Sequence, residues 1–449
     1  MTPLRIRIIT LGCKVNQCDA DEMARALAAA GYEVAARGGA DAYVVNTCTV
    51  TATADAKARK LIRKLAREGG RAPVVVTGCW AQRDAEAVAA VEGVSAVVGN
   101  EGKGRIAEVV EEFLGASALK YRGNAKEGGC AASHRRDACA TGGSAGWRAC
   151  FACPRHTGGL YRTRVFVKVQ DGCDHRCAYC AVPKARGAPV SRPMVETLDE
   201  LRRIADEGAQ EVVLCGIRLG AYGRERGAGE TLAGLLREMW ALPIPRVRLS
   251  SIEPMDLDDE LVAEMADHPR LCHHLHLPLQ SGDDAVLAEM GRGYTSGEYR
   301  RLVERVREVW PQVALTTDVM VGFPGETAEQ FERTVGFVRE MGFTRLHVFP
   351  FSPRPGTAAA ERRDRVPEEV RRAGAAELIG VGEELAERAA QAWVGREAQV
   401  LFEQEKGGRL TGLTEQYLRV WCEGPREWVG RIVAVRVEGT ERGELVAGW

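Results

Sequence analysis

Between Val165 and Phe351 six candidate strands recur, at Val165–Gln170, Glu211–Cys215, Arg246–Ser250, His273–Leu277, Ala314–Val321 and Arg345–Phe351. Segments of helical period fall between them, among them Val195–Glu207, Thr231–Met239, Ser296–Val309 and Ala328–Met341. Strands separated by single helices run parallel. About six β/α units in a row predict a barrel or partial barrel, which places its site at the carboxyl ends of the strands. A helix over Glu368–Gln391 closes the series.

The same alternation precedes this series on a smaller scale. Leu4–Leu11, Ala42–Asn46, Pro73–Thr77 and Ala96–Gly99 read as strands, with helices around Met23–Ala30, Ala54–Glu68 and Ile106–Leu114. Residues 1–116 are therefore expected to form an α/β domain on a parallel sheet. From Gly115 to Gly159 the periodicity dissolves into Gly, Ala, Ser and Arg, so residues 117–159 read as a linker or exposed insertion. The central series takes residues 160–391. Beyond it, residues 392–449 carry short alternating segments, Glu397–Phe402, Leu418–Trp421 and Ile432–Val437, which predict a small antiparallel β-barrel of a kind that often binds RNA. Arg and Glu nearly cancel there, so charge by itself assigns that barrel no RNA role. Trp421 and Trp428 are candidates for base stacking or for the barrel's own core.

With 449 residues the chain exceeds what one core usually serves. No apolar run approaches the roughly 18–20 residues that span a bilayer, and the first residues flow into a strand rather than a signal peptide, so a cytoplasmic protein without a membrane partner is expected. In that reducing compartment the 14 cysteines are candidate metal ligands or buried thiols rather than disulfide partners. The formal net charge of −1 provides no overall field for nucleic acid, so any RNA contact needs a local basic face.

Two cysteine constellations carry chemistry. Cys173-Asp-His-Arg-Cys177-Ala-Tyr-Cys180 is a C-x3-C-x2-C run just after a predicted strand. Three thiolates on one loop can hold an iron–sulfur cube and leave one iron open, and this spacing is the signature of enzymes that chelate S-adenosylmethionine there. The competing reading is a zinc site completed by His175 or a distant cysteine. Cys13, Cys48 and Cys79 follow the first three predicted strands, so they converge on one sheet edge and can form a second metal site; each alone also reads as a buried thiol. Cys215, Cys272 and Cys422 read as core, and Cys18 as a helical residue. Cys130, Cys139, Cys150 and Cys153, with His134 and His156, have irregular spacing that makes them a weaker metal candidate.

Around these cysteines the flanking strings resemble the methylthiotransferase branch of the radical S-adenosylmethionine family over nearly the whole chain. Leu11-Gly-Cys-Lys-Val-Asn-Gln17, Asn46-Thr-Cys-Thr-Val-Thr51, Arg248-Leu-Ser-Ser-Ile-Glu-Pro254 and His276-Leu-Pro-Leu-Gln-Ser-Gly282 are most similar to the threonylcarbamoyladenosine tRNA methylthiotransferases. The resemblance implies a cluster-binding first domain, a radical partial barrel and a C-terminal TRAM domain that engages tRNA. It implies two [4Fe-4S] clusters, on Cys13, Cys48 and Cys79 and on Cys173, Cys177 and Cys180, with a sulfur donor and a reductant as further partners. The implied reaction replaces the C2 hydrogen of an N6-threonylcarbamoyladenosine beside the anticodon, at position 37, by a methylthio group. Other tRNA adenosines or a ribosomal-protein side chain are alternative substrates, and a noncatalytic zinc-containing RNA-binding protein is the reading from another class. The chain departs from the family pattern in a longer, cysteine-rich Gly115–Gly159 segment and in Cys18, where an aromatic residue is usual.

Gly216, Ser251, Glu253, Gln280 and Asp318 fall at or near predicted strand ends and are the candidates for S-adenosylmethionine contacts. Arg162, Arg164, Lys168, Arg176, Lys184, Arg186 and Arg192 surround the C-x3-C-x2-C run and form a candidate phosphate-binding face, or else a solvated surface.

Overall fold

A computed structural model describes residues 3–70, 72–115, 163–227 and 229–448. The cysteines and histidines between 130 and 156, and Arg162, lie outside the described residues. The described chain forms two compact units, one of residues up to 115 together with Ala181–Ala188, the other of residues 163–180 and 189–448.

In the first unit, β1 (Arg5–Thr10), α1 (Lys14–Ala29), β2 (Glu33–Ala35), β3 (Ala42–Thr47), α2 (Ala52–Glu68), β4 (Val74–Gly78), α3 (Cys79–Arg83), α4 (Ala85–Ala89), β5 (Ala96–Val98) and α5 (Ile106–Leu114) follow in order. All five strands run parallel in the order β2-β1-β3-β4-β5. Ala42, Val44 and Val75 pack with α1 and α5 on one face, while Tyr43, Val45, Val74 and Val76 pack with α2 on the other. That two-sided burial is why these strands read as unbroken apolar runs. The short β2 has no apolar run of its own and escapes the sequence pattern.

The second unit opens with β6 (Arg164–Lys168) and β7 (Gln170–Asp171). Residues 181–188 then contribute α6 (Val182–Arg186) to the first unit, and the chain continues through β8 (Val190–Ser191), α7 (Met194–Asp206), β9 (Glu211–Cys215), α8 (Leu232–Met239), β10 (Arg246–Leu249) and α9 (Asp259–Asp267). After them come β11 (His274–His276), α10 (Asp284–Glu289), α11 (Ser296–Val309), β12 (Ala314–Val321), α12 (Ala328–Met341), β13 (Arg345–Pro350), α13 (Ala358–Glu361) and α14 (Glu368–Gln391). Strands β6, β9 and β10 form one parallel sheet and β11, β12 and β13 another, joined by the bridges Val247–Leu271 and Ser251–His276. The six strands thus make the expected partial barrel. Val165, Val167, Val212, Leu214, Val247, Leu249, Leu275, Leu315 and Val319 face the helical layer and belong to its core. Alternation turns Arg164, Lys168, Glu211, Arg248, His276, Thr316 and Asp318 toward the lumen.

The chain ends in β14 (Glu397–Lys406), β15 (Arg409–Thr414), β16 (Arg419–Cys422), β17 (Ile432–Glu441) and β18 (Glu444–Gly448), a closed barrel in the order β14-β15-β16-β18-β17 in which only β16 and β18 pair in parallel. Its β15–β16 turn caps the amino-terminal ends of the partial-barrel strands. Tyr417, at φ 66°, stacks on His274 with ring centroids 4.6 Å apart and lies under the Arg248 guanidinium at 5.2 Å. Arg248, with no exposed side-chain surface, bonds both oxygens of the equally buried Glu211 (2.7 and 3.3 Å) and the carbonyls of Thr414 (3.0 Å) and Glu415 (2.9 Å). Trp428 stacks on Phe402 at the barrel core, whereas half-buried Trp421 is flanked by Lys406 and Arg409 on the barrel wall.

Candidate iron–sulfur and S-adenosylmethionine site

The loop carrying Cys173, Cys177 and Cys180 leaves the carboxyl end of the partial barrel after β7, and all three thiols are half-buried. Backbone bonds fix it: Ala178 N–H donates to Met290 O (2.9 Å), Ala359 N–H to Ala178 O (2.8 Å) and Cys180 N–H to Cys177 O (3.0 Å). Ala178 and Tyr179 pack against Val286, Met290, Met320 and Phe323, so Tyr179 covers the loop from the core side. At its start, buried Gln170 donates to the carbonyls of Asp171 (2.8 Å) and Gly172 (2.9 Å) and accepts from Arg218 N–H (2.8 Å). Arg218 in turn holds Asp174, between the first two cysteines, at 2.6 Å and the buried Asp256 at 2.7 Å. Burial pushes the Cys173 thiol up.

Arg292 was not singled out from sequence. Its guanidinium, 2% exposed, stands 3.5 Å from both Cys177 Sγ and Tyr179 Oη, pairs with Glu253, and bonds Tyr294 Oη at 3.1 Å. The signal that points to it is a lone cation in Met290-Gly-Arg-Gly-Tyr294, right after α10, where no surface pattern calls for one.

Of the five expected cofactor contacts, Gly216, Ser251 and Gln280 follow the carboxyl ends of β9, β10 and β11, Glu253 pairs with Arg292, and Asp318 lies within β12. Gly216 follows β9, and its N–H meets Ser250 Oγ at 3.3 Å. Ser251 is paired in register with His276. Gln280 is held at φ 69°, with its N–H on Asp318 O (2.9 Å) and its own carbonyl taking Met320 N–H (2.9 Å). A non-glycine residue in that region is strained, and such strain persists only where the surroundings impose it. The buried Gln280 Oε1 has no hydrogen-bond partner among the described residues, which suits a group that awaits a ligand. Burial pushes the Asp318 carboxyl up, but hydrogen bonds from His276 (3.4 Å) and His347 (3.1 Å) outweigh it and hold the group well below the usual carboxylate range.

In the first unit Cys13, Cys48 and Cys79 stand beyond the carboxyl ends of the adjacent β1, β3 and β4, with Cys13 capping α1 and Cys79 opening α3. A Cβ on Gly12, which sits at φ 105°, would lie 2.6 Å from Cys48 Cβ and 2.9 Å from its Sγ, so the turn before Cys13 closes onto Cys48 only as glycine. Buried Asn16 ties this edge together. Its amide donates to Leu11 O and Thr47 O, both at 2.9 Å, and its Oδ1 accepts from Arg186 and lies 3.8 Å from Cys79 Sγ. Arg186, on α6, also bonds Asp19 at 2.8 Å, which takes Lys103 at 2.6 Å. Burial, with Cys13 and Cys79 adding to it, pushes the Cys48 thiol up to about 11. Among the described residues no three His, Cys, Asp or Glu are gathered tightly enough for a single metal ion. The cysteines of a cube need no such gathering, because each binds a different iron.

The basic face expected around the radical loop does not form as one surface. Arg164 is held by Glu403, Lys168 by Asp171, Arg186 by Asp19 and Arg192 by Glu200, all with little exposed side chain, which leaves Arg176 and Lys184 exposed. Burial next to a carboxylate claims these cations for structure.

A parallel partial barrel with a three-thiol loop at its carboxyl end defines the class: a radical enzyme of the S-adenosylmethionine-cleaving kind. Residues 167–338 match the Radical SAM superfamily, and residues 5–99 match a family described as Uncharacterized protein family UPF0004. The chain is 36% identical to the threonylcarbamoyladenosine tRNA methylthiotransferase MtaB of Thermotoga maritima over 96% of this chain and 94% of that one. It is 34% identical to the tRNA-2-methylthio-N(6)-dimethylallyladenosine synthase of Syntrophotalea carbinolica, over 95% of each. The solved structure of the radical S-adenosylmethionine methyltransferase TsrM of Kitasatospora setae shares the fold, with a TM-score of 0.55 at 18% identity over 80% of this chain and 77% of that one. The chain belongs to the radical S-adenosylmethionine methylthiotransferases and, among them, to the MtaB-like family. The family implies a [4Fe-4S] cluster and S-adenosylmethionine. Among the described residues no helix is long and apolar enough to cross a membrane.

Proposed function

We propose that the chain methylthiolates C2 of N6-threonylcarbamoyladenosine at position 37 of tRNA, using two [4Fe-4S] clusters held by Cys173, Cys177 and Cys180 and by Cys13, Cys48 and Cys79. The observation that carries the reading is the half-buried three-thiol loop at the carboxyl end of the partial barrel, joined to Glu253 through Arg292, with the unpartnered side-chain Oε1 of Gln280 among the nearby strand ends. A cluster at that loop, when bound, supplies the electron that cleaves S-adenosylmethionine and so yields the species that removes an unactivated C–H hydrogen. Arg292 offsets thiolate charge beside Cys177 and holds the Glu253 carboxylate in place through their ion pair. Glu253, Gln280, Asp318, Ser251 and the backbone at Gly216 bind and orient the amino-acid and ribose portions of the cofactor. In the first unit Asn16 and Arg186 hold the sheet edge where sulfur is delivered, with a reductant and a sulfur donor supplied by other proteins. The flanking strings at Cys13, Cys48, Arg248 and His276 support the threonylcarbamoyl substrate, as does the likeness to the threonylcarbamoyladenosine tRNA methylthiotransferase of Thermotoga maritima.

Purified without oxygen, the wild type is expected to hold about eight irons, and the Cys173→Ala, Cys177→Ala, Cys180→Ala variant about four. Activity is then compared on anticodon stem-loops carrying threonylcarbamoyladenosine or dimethylallyladenosine. Iron that does not fall in the variant, or turnover of the second RNA alone, overturns the reading.

A further inference from the structure

Strand β13 forms the free edge of the β11–β12–β13 sheet. Leu346 and Val348 point to the helical layer, which leaves Arg345, His347 and Phe349 on the lumen side. The His347 side chain is 75% exposed yet held in place. Its Nδ1 lies 3.1 Å from Asp318 Oδ1, the same oxygen lies 3.4 Å from His276 Nε2, and His276 Nδ1 lies 2.9 Å from Thr316 Oγ1. With Nδ1–H donating to the carboxylate, Nε2 faces outward and has no partner among the described residues. The hydrogen bond that His347 donates to Asp318 raises the imidazole above its ordinary pKa, which favours the cation. Exposed Arg345 stands two residues earlier on the same face. The Phe349 ring, 5.7 Å from that of His347, packs in the cluster that holds Ala178 and Tyr179 of the cysteine loop. An oriented donor next to an arginine, one ring away from the radical loop, is built to receive an anionic oxygen.

We propose that His347, with Arg345, is the specificity-determining subsite for the carboxylate of the threonylcarbamoyl group, selecting a charged N6 substituent over an apolar one. The inference rests on the substrate proposed above and goes further by naming the group that reads it. An anionic oxygen at this edge has two sources, the threonyl carboxylate or a backbone phosphate of the same RNA, and the experiment separates them.

Loaded wild type and His347→Gln are assayed on stem-loops carrying threonylcarbamoyladenosine, its methyl ester, or dimethylallyladenosine. The wild type is expected to prefer the acid over the ester by about 10- to 100-fold in kcat/KM, expressed in KM, as one charge-assisted hydrogen bond is worth. H347Q should lose most of that preference, and Arg345→Gln part of it. Because the preference is a ratio measured within one protein, partial misfolding of a variant cancels out. An H347Q enzyme that retains the wild-type preference overturns the subsite. Equal weakening of acid and ester, with a salt dependence shallower by about one phosphate contact, assigns His347 to the backbone and overturns the carboxylate assignment. Wild type that methylthiolates only the dimethylallyl RNA overturns both the substrate and the subsite, whereas the first two failures leave the substrate reading intact.

Discussion

Replacing Arg248 with Met should unlock the C-terminal barrel from the floor of the lumen. The wild-type guanidinium makes two bonds to Glu211 and two to the carbonyls of Thr414 and Glu415, with no exposed surface on either member of the ion pair. Removing one partner of such a pair strands a buried carboxylate and costs about 3–5 kcal/mol, which for a unit of this size lowers Tm by on the order of 10 °C. Replacing both, as Arg248→Met with Glu211→Leu, removes the stranded charge and should recover most of the loss, so the double-mutant cycle reads a coupling well above 1 kcal/mol. The pH dependence has a fixed sign. Burial pushes Glu211 up, but Arg248, Arg164 and Arg246 outweigh it and hold the carboxyl below its ordinary value. Its stabilisation is therefore present above the unfolded pKa of about 4.3 and is lost as pH falls through the lower native value. The gap between wild type and Arg248→Met should narrow over that same acid window. Differential scanning calorimetry at pH 7, with limited proteolysis at the junction before residue 397, checks both effects. A single variant that melts within about 2 °C of wild type would refute the claim that this pair locks the two parts together.

Three further outcomes are expected. Arg292→Met should leave a reconstituted protein that binds iron at the radical loop but cleaves S-adenosylmethionine at least about tenfold more slowly, since Glu253 loses its partner and Cys177 its cation; unchanged deoxyadenosine release would remove Arg292 from the site. Gly12→Ala should drive a Cβ into Cys48 and strain the φ 105° turn, so that on the Cys173→Ala, Cys177→Ala, Cys180→Ala background the remaining iron drops from about four toward zero; full iron retention would separate this edge from any cluster. Gln280→Gly should relieve roughly 1 kcal/mol of backbone strain while weakening S-adenosylmethionine binding measured by calorimetry, and unaltered binding would assign Oε1 no ligand.

What was legible in the chain follows from what short-range patterns encode. In the first unit, apolar runs marked β3 and β4 because both faces of that sheet are covered, and cysteines placed just after β1, β3 and β4 stand at one edge because those strands are neighbours. The radical loop was legible because its three thiols lie within eight residues, Cys173 to Cys180. Strands β15 and β18 escape the sequence pattern, because segments as short as Arg-Leu-Thr-Gly-Leu-Thr and Glu-Leu-Val-Ala-Gly carry little periodicity and are defined by their partners in the barrel. The basic residues around the loop read as either a phosphate-binding face or a solvated surface, and only the fold revealed that Arg164, Lys168, Arg186 and Arg192 spend their charge on Glu403, Asp171, Asp19 and Glu200.

The order of most strands and helices and the family that the cysteine-flanking strings mark were written locally, in periodicity and spacing. The pairing of Arg248 with Glu211, the approach of Arg292 to Cys177, the seat of Arg186 on Asn16 and the Asp318–His347 bond join residues 29 to 170 positions apart. No local pattern specifies such contacts. The first three exist because chain closure brings distant polar groups into low-dielectric surroundings, where an unpaired charge costs more than the ordering needed to pair it.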